Sequence, residues 1–88
     1  MLTNIKSWTE ITKGIYRYVI AAGACYEIHI NYWGHSTDIN TANATLFLAG
    51  DWTNTSGENF FEREPLLESQ PVSECLTAAE KDYKENMS

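Results

Sequence analysis

Apolar and polar side chains alternate with a period of two through the middle of the chain, a pattern typical of β-strands with one face in a core. The first such run is Ile15 to Ile20, and the clearest is Cys25 to Trp33. In the second run the even-numbered residues are apolar and form one face: Tyr26, Ile28, Ile30 and Tyr32. The odd-numbered residues Cys25, Glu27, His29 and Asn31 form a polar face that we expect to be half exposed. A short glycine-containing connection joins the two runs, which predicts a β-hairpin.

Two further strands are predicted after a polar loop at 34–43. The first runs from Ala44 to Trp52, with Leu46 and Leu48 on one side. The second is short, from Phe60 to Glu64, and we expect Pro65 to terminate it because proline cannot donate to a strand ladder.

The last segment predicts a helix with a clear apolar stripe. We expect Ser69 to cap it, Pro71 to lie in its first turn, and Glu74 to complement the helix dipole. The stripe has the spacing i, i+3, i+4, i+7 and i+11, and its residues are Val72, Cys75, Leu76, Ala79 and Tyr83. We expect this stripe to pack on the apolar face of the sheet.

The first dozen residues fit two alternatives. Apolar residues recur every three positions and Ser7 with Glu10 matches a capping box, which favours a short amphipathic helix. An irregular lead-in strand fits as well. The chain is therefore predicted to be one small acidic α+β domain over residues 1–88, with a three- to four-stranded antiparallel sheet and a C-terminal helix packed on one face.

Charge separates the chain into two parts. The net charge is −6 over 88 residues, and the stretch from Glu58 onward carries eight acids against three bases, a net of −5. Phosphates repel such a chain, so neither nucleic acid nor an anionic membrane is expected as a direct partner. The first thirteen residues have no continuous apolar run, so we expect no secretory signal and a cytoplasmic protein with Cys25 and Cys75 as free, buried thiols.

The candidate chemistry in the sequence is sparse. Cys25, Glu27 and His29 share a strand face and are metal-ligand types, as are His35 and Asp38 in the next loop. No CxxC or HxxxH pairing accompanies them, so we predict neither a metal site nor a cofactor. Cys25 and His29 would lie about 13 Å apart along a strand, too far for proton transfer, and no catalytic residue is assigned. The expectation is a protein without enzymatic activity.

The acidic run is the strongest indication of a binding surface. Four glutamates lie within eleven residues and are opposed only by Arg63: Glu58, Glu62, Glu64 and Glu68. In an extended strand Glu62 and Glu64 project to one face about 6.6 Å apart, close to the separation of neighbouring phosphates in a nucleic-acid strand. Exposed aromatic residues would supply anchors beside these charges, and the candidates are Trp33, Trp52 and Phe60.

Two functions follow as hypotheses. The first is a binding inhibitor that occupies the basic nucleic-acid groove of a larger protein, such as a nuclease. Small inhibitors that phages and mobile elements use against restriction or CRISPR nucleases are similar in size and charge, although no motif here matches a particular family. The alternative is a structural or assembly module without catalytic activity, which forms a homodimer through its sheet edge and aromatic residues.

Overall fold

The computed structural model describes residues 2–33, 38–53 and 55–86, except for the side chains of residues 52, 53, 59 and 60. Within these ranges the chain forms two single 3-10 turns, five strands and one helix. Their bounds in chain order are the turn Ile5–Ser7, β1 Thr9–Thr12, β2 Ile15–Ala21, β3 Ala24–Tyr32, the turn Ile39–Thr41, β4 Asn43–Thr53, β5 Asn59–Pro71 and α1 Val72–Asn86.

The strands form one antiparallel sheet in the order β1-β2-β3-β4-β5, so every strand pairs with its neighbour in sequence. The predicted α+β class is confirmed, with five strands in place of three or four. The predicted hairpin is also confirmed: Arg17 pairs with Glu27, and Val19 pairs with Cys25. Its turn contains Gly23, whose φ of 75° favours glycine.

The N-terminal residues combine parts of both alternatives. Asn4 caps the 3-10 turn by accepting a hydrogen bond from the Lys6 backbone, and the chain then enters β1. The predicted capping box is wrong, because Glu10 lies in β1 and accepts a hydrogen bond from the Gly14 backbone at 3.2 Å. The apolar residues in and around this turn are buried, and they are Leu2, Ile5 and Trp8.

β5 is much longer than predicted, because Pro65 does not terminate it. β5 is an edge strand with one hydrogen-bonded neighbour, so a residue without an N–H is tolerated there. Two register shifts against β4 interrupt the pairing on the C-terminal side of Pro65. These bulges let one continuous strand pass both the proline and Ser69.

α1 begins directly after β5, which corrects two predicted positions. Ser69 does not cap the helix but lies within β5 with a φ of 54°, and Pro71 is the last strand residue rather than part of the first turn. The Val72 N–H donates to the Ala42 carbonyl at 3.0 Å and fixes the start of the helix. Glu74 lies in the first turn as predicted. In the described part of the chain no helix is long and apolar enough to cross a membrane.

The core lies between α1 and one face of the sheet. The predicted stripe is confirmed: Val72, Cys75, Leu76 and Ala79 are buried, and Tyr83 packs at the margin of the core. Their partners include Tyr26, Ile28 and Leu46 from the two central strands. We call the opposite side of the sheet, on which α1 does not pack, the open face. Its register positions include Ile15, Arg17, Val19, Cys25, Glu27, His29, Thr45, Phe47, Ala49, Asp51, Phe61, Arg63 and Pro65.

Candidate functional site

The acidic segment predicted from the sequence lies along β5, the long edge strand. Glu62 and Glu64 are register partners of Gly50 and Leu48, which puts both carboxylates on the face that carries the helix. Both side chains are exposed. Neither has an ion pair or hydrogen bond with any residue that the structure describes. The two carboxylates therefore project side by side as uncompensated charges.

The other two glutamates of the segment do not extend this pair. Glu58 precedes β5 and is exposed. Glu68 lies between Leu67 and Gln70, where the register with β4 shifts, so it does not continue the regular alternation of Glu62 and Glu64. Of the four carboxylates, Glu62 and Glu64 are the two that the regular register with β4 places on one face.

Arg63, the base between these two glutamates, points to the other side of the sheet. Alternation along β5 places it on the open face, where its Nε donates to Glu27 Oε1 at 2.6 Å. Its charge is thereby compensated by a residue outside the acidic segment. The edge that carries Glu62 and Glu64 keeps its full negative charge as a result.

The aromatic residues predicted as anchors do not all lie near Glu62 and Glu64. Trp33 follows β3 and is exposed, but the end of β3 pairs with Asn43, whereas Glu62 pairs with Gly50. These two rungs lie about 23 Å apart along β4, so Trp33 is not brought to the acidic pair.

Trp52 and Phe60 pair with each other in the backbone register between β4 and β5. Their rung lies two residues from that of Glu62 along β5. Their side chains lie outside the described part of the structure.

The most unusual group on the open face is a buried carboxylate that the sequence analysis missed. Glu27 was predicted to lie on a wet strand face, but its side chain has 0% exposure. Its Oε2 accepts hydrogen bonds from Nε and Nη2 of Arg17, at 3.0 and 2.7 Å. Its Oε1 lies 2.6 Å from Nε of Arg63 and 2.8 Å from Nε2 of His29. Two guanidinium groups and an imidazole thus enclose one carboxylate.

These contacts set the protonation of Glu27. Burial alone would raise the pKa of the carboxyl, because a charged group loses its hydration. Hydrogen bonds from Arg63, His29 and Arg17 outweigh that cost and lower the pKa of Glu27 from 4.5 to about 2. Glu27 is therefore ionised at any physiological pH, and it acts as the fixed centre of an ion-pair network rather than as a proton donor.

Phe61 covers part of this network from the edge strand. Its ring centre lies 4.7 Å from the guanidinium carbon of Arg63 and 5.5 Å from that of Arg17. Both contacts are within cation–π range. Phe61 lies on the open face and is exposed.

Cys25 and His29, the other candidates for chemistry, also lie on the open face. Burial raises the pKa of the Cys25 thiol, which disfavours a reactive thiolate. The His29 ring packs against Phe47 in a tilted arrangement with centroids 4.6 Å apart, and its Nε2 contacts Glu27 rather than Cys25. Among the described residues no group of three His, Cys, Asp or Glu side chains is placed to hold a metal ion, and His35 lies outside those residues.

Comparison with known proteins adds no relative. No family model, curated protein or solved structure matches this chain with significance. The interpretation of the site therefore depends on its own geometry.

Proposed function

We propose that this protein is a small acidic protein-binding module whose β5 edge docks on a basic surface of a larger cytoplasmic protein. The form of this function that we favour is an inhibitor that occupies the nucleic-acid-binding groove of an enzyme such as a nuclease. Such a groove presents Arg and Lys side chains spaced for phosphates, and a pair of carboxylates on a strand has a similar spacing of about 6.6 Å.

The observation that carries the proposal is the orientation of Arg63. The only base between Glu58 and Glu68 is paired with Glu27 on the open face, while Glu62 and Glu64 are exposed on the other face. Because Arg63 lies on the opposite face, Glu62 and Glu64 present negative charge without a positive charge from the same stretch of β5 beside them. A surface of one charge attracts a basic partner over long range and raises the association rate.

The edge position of β5 also supports binding rather than burial. An unpaired strand edge with charged side chains resists self-pairing, because like charges on two copies repel. The same charges attract an oppositely charged surface, so one arrangement serves both solubility and selectivity. Charge therefore determines the class of partner. The geometry of the partner's groove would distinguish it from other basic proteins.

The test is a comparison of three baits in affinity purification from lysate. The baits are the wild type, Glu62→Lys with Glu64→Lys, and a control with Glu74→Lys and Glu85→Lys. Both double variants change the net charge from −6 to −2, since each substitution adds two charges. We expect a basic nucleic-acid-binding protein to be retained by the wild type and the control, released by high salt, and competed by DNA or RNA.

The β5 variant should lose that partner while keeping its fold, as judged by circular dichroism. If both double variants lose the partner equally, only net charge matters and the β5 edge is not the docking surface. Retention by the β5 variant at wild-type strength would overturn the proposal.

A further inference from the structure

The open face carries a patch of exposed apolar side chains around Arg17. Val19 is 68% exposed, and Ile11 and Phe61 are exposed as well. A groove lined by Ile11, Arg17 and Val19 continues into a shallow concavity of about 160 Å³ between Val19 and Phe61. Residues on three strands thus form one continuous surface of ridges and hollows around Arg17.

The charges of this surface cancel. Arg17 and Arg63 are balanced by Glu27 and Asp51, all of which occupy open-face positions. The chain as a whole carries −6. A strongly basic or acidic partner has no net charge to recognise here, whereas a second copy of the same neutral surface meets no net repulsion. Glu27 is already removed from water, so covering it again costs little.

The size of the open face is sufficient for a weak, specific dimer. Five strands spaced by about 4.8 Å, with central strands about 30 Å long and a shorter β1, give a face of roughly 600 Å². Two such faces together reach roughly 1,200 Å², the lower limit of standard protein interfaces. Two sheets pack face to face at about 10 Å with interdigitated side chains, as in sandwich folds.

We infer that the open face binds a second copy of this chain, so that two sheets pack face to face in a symmetric dimer with the helices outside. A two-fold axis brings each ridge formed by Val19 and Phe61 against the concavity beside it on the other copy. Glu62 and Glu64 lie on the helix-bearing face and remain exposed in this arrangement. The inference is therefore independent of the function proposed for β5.

Sedimentation equilibrium tests this assembly directly. Over loading concentrations from about 1 µM to about 1 mM, which bracket a Kd in the tens of micromolar, the wild-type mass should rise from close to 10.0 kDa towards twice that value. Val19→Asp and Ile11→Asp each bury a charge at the contact, and each should weaken association at least about tenfold. Raising the salt concentration should leave association unchanged or stronger, because the contact is apolar.

Ser73→Asp is the matched control. Ser73 is exposed on α1, which lies on the outside of the proposed dimer, so this variant adds the same charge away from the contact and should associate like the wild type. Circular dichroism should show the same fold for all variants. A wild-type mass of 10.0 kDa throughout overturns the inference. Association that salt abolishes, or that both Asp variants retain, also overturns it.

Discussion

Arg63 reaches across a whole strand to bind Glu27. Arg63 is in β5 and Glu27 is in β3, and β4 lies between them, yet Nε and Oε1 are only 2.6 Å apart. The register partner of Arg63 on β4 is Ala49, whose small side chain leaves room for the arginine to lie over the strand. This contact ties the edge strand to the sheet centre and, at the same time, removes the one base from the acidic edge.

We expect Glu27→Gln to destabilise the fold strongly. The substitution leaves Arg17 and Arg63 without their shared carboxylate at a buried position. Breaking a buried ion pair by removing one partner costs about 3–5 kcal/mol, and the partial exposure of both arginines places this case at the lower end of that range. Urea unfolding at neutral pH measures the loss.

Glu85→Gln is the control for Glu27→Gln, since Glu85 is exposed on α1. Its free energy of unfolding should stay within about 0.5 kcal/mol of wild type. A loss below about 1 kcal/mol for Glu27→Gln would show that the network contributes little to stability.

Low pH should remove the difference in unfolding free energy between the wild type and Glu27→Gln. The pKa of Glu27 is about 2 in the folded protein and 4.5 without these contacts, so the ionised form favours folding. This contribution is complete above about pH 4.5 and is lost as the pH falls towards 2. At about 1.4 kcal/mol per pKa unit, the gap in unfolding free energy should narrow by about 3 kcal/mol over that window. Urea titrations of both proteins from pH 7 to pH 2 check this, and a constant gap would contradict it.

Local pairing was predictable from the sequence, whereas the burial of Glu27 was not. A turn at Ala22-Gly23 pairs Arg17 with Glu27 directly, so the hairpin alone contains half of the network. The other half comes from Arg63, which is 36 residues away in sequence. The alternation of polar residues in one strand does not indicate which distant side chains will cover its polar face. The sequence therefore predicts a half-exposed position for Glu27.

The length of β5 escaped prediction for a related reason. Pro65 and Ser69 interrupt a regular strand pattern, and Ser69 adopts a left-handed backbone conformation that a helix cap would not require. Only pairing with β4 shows that two bulges absorb both residues. The helix stripe, in contrast, is a local pattern with period 3.6, so its buried residues were predicted correctly.

A hydrogen bond between Tyr26 and Asp82 joins α1 to the sheet. The Tyr26 hydroxyl donates to Asp82 Oδ2 at 2.5 Å, and the tyrosine ring is fully buried in the core. We expect Tyr26→Phe to lower the free energy of unfolding by about 1–2 kcal/mol, since the bond has a charged acceptor. Tyr18→Phe is the control, because its hydroxyl has no hydrogen bond with a described residue. Equal stability of the two variants in urea would show that the Tyr26 bond does not stabilise the docked helix.

Gly50 is required by a close backbone approach. A Cβ at this position would lie 2.7 Å from the Gly23 carbonyl oxygen, which itself accepts a hydrogen bond from the Asp51 N–H at 2.8 Å. Gly50→Ala should therefore displace the β2–β3 turn and cost about 1–3 kcal/mol. Gly57→Ala is the comparison, since Gly57 has a positive φ but no atom within 4 Å of its Cβ position. Thermal unfolding should show the larger loss for Gly50→Ala, and the reverse order would refute the steric explanation.

The two cysteines should behave as protected, unpaired thiols. Cys25 lies on the open face of β3 and Cys75 on the sheet-facing side of α1, so the sheet separates them and a disulfide cannot form within the folded chain. Both side chains are buried, and burial raises the pKa of Cys25 and raises the pKa of Cys75 to about 11. Because the thiolate is the reactive form, a disulfide reagent at neutral pH should modify neither thiol rapidly in the native protein and both in guanidinium chloride. Rapid native labelling of both would contradict this burial, and no labelling after denaturation would reveal an oxidised chain.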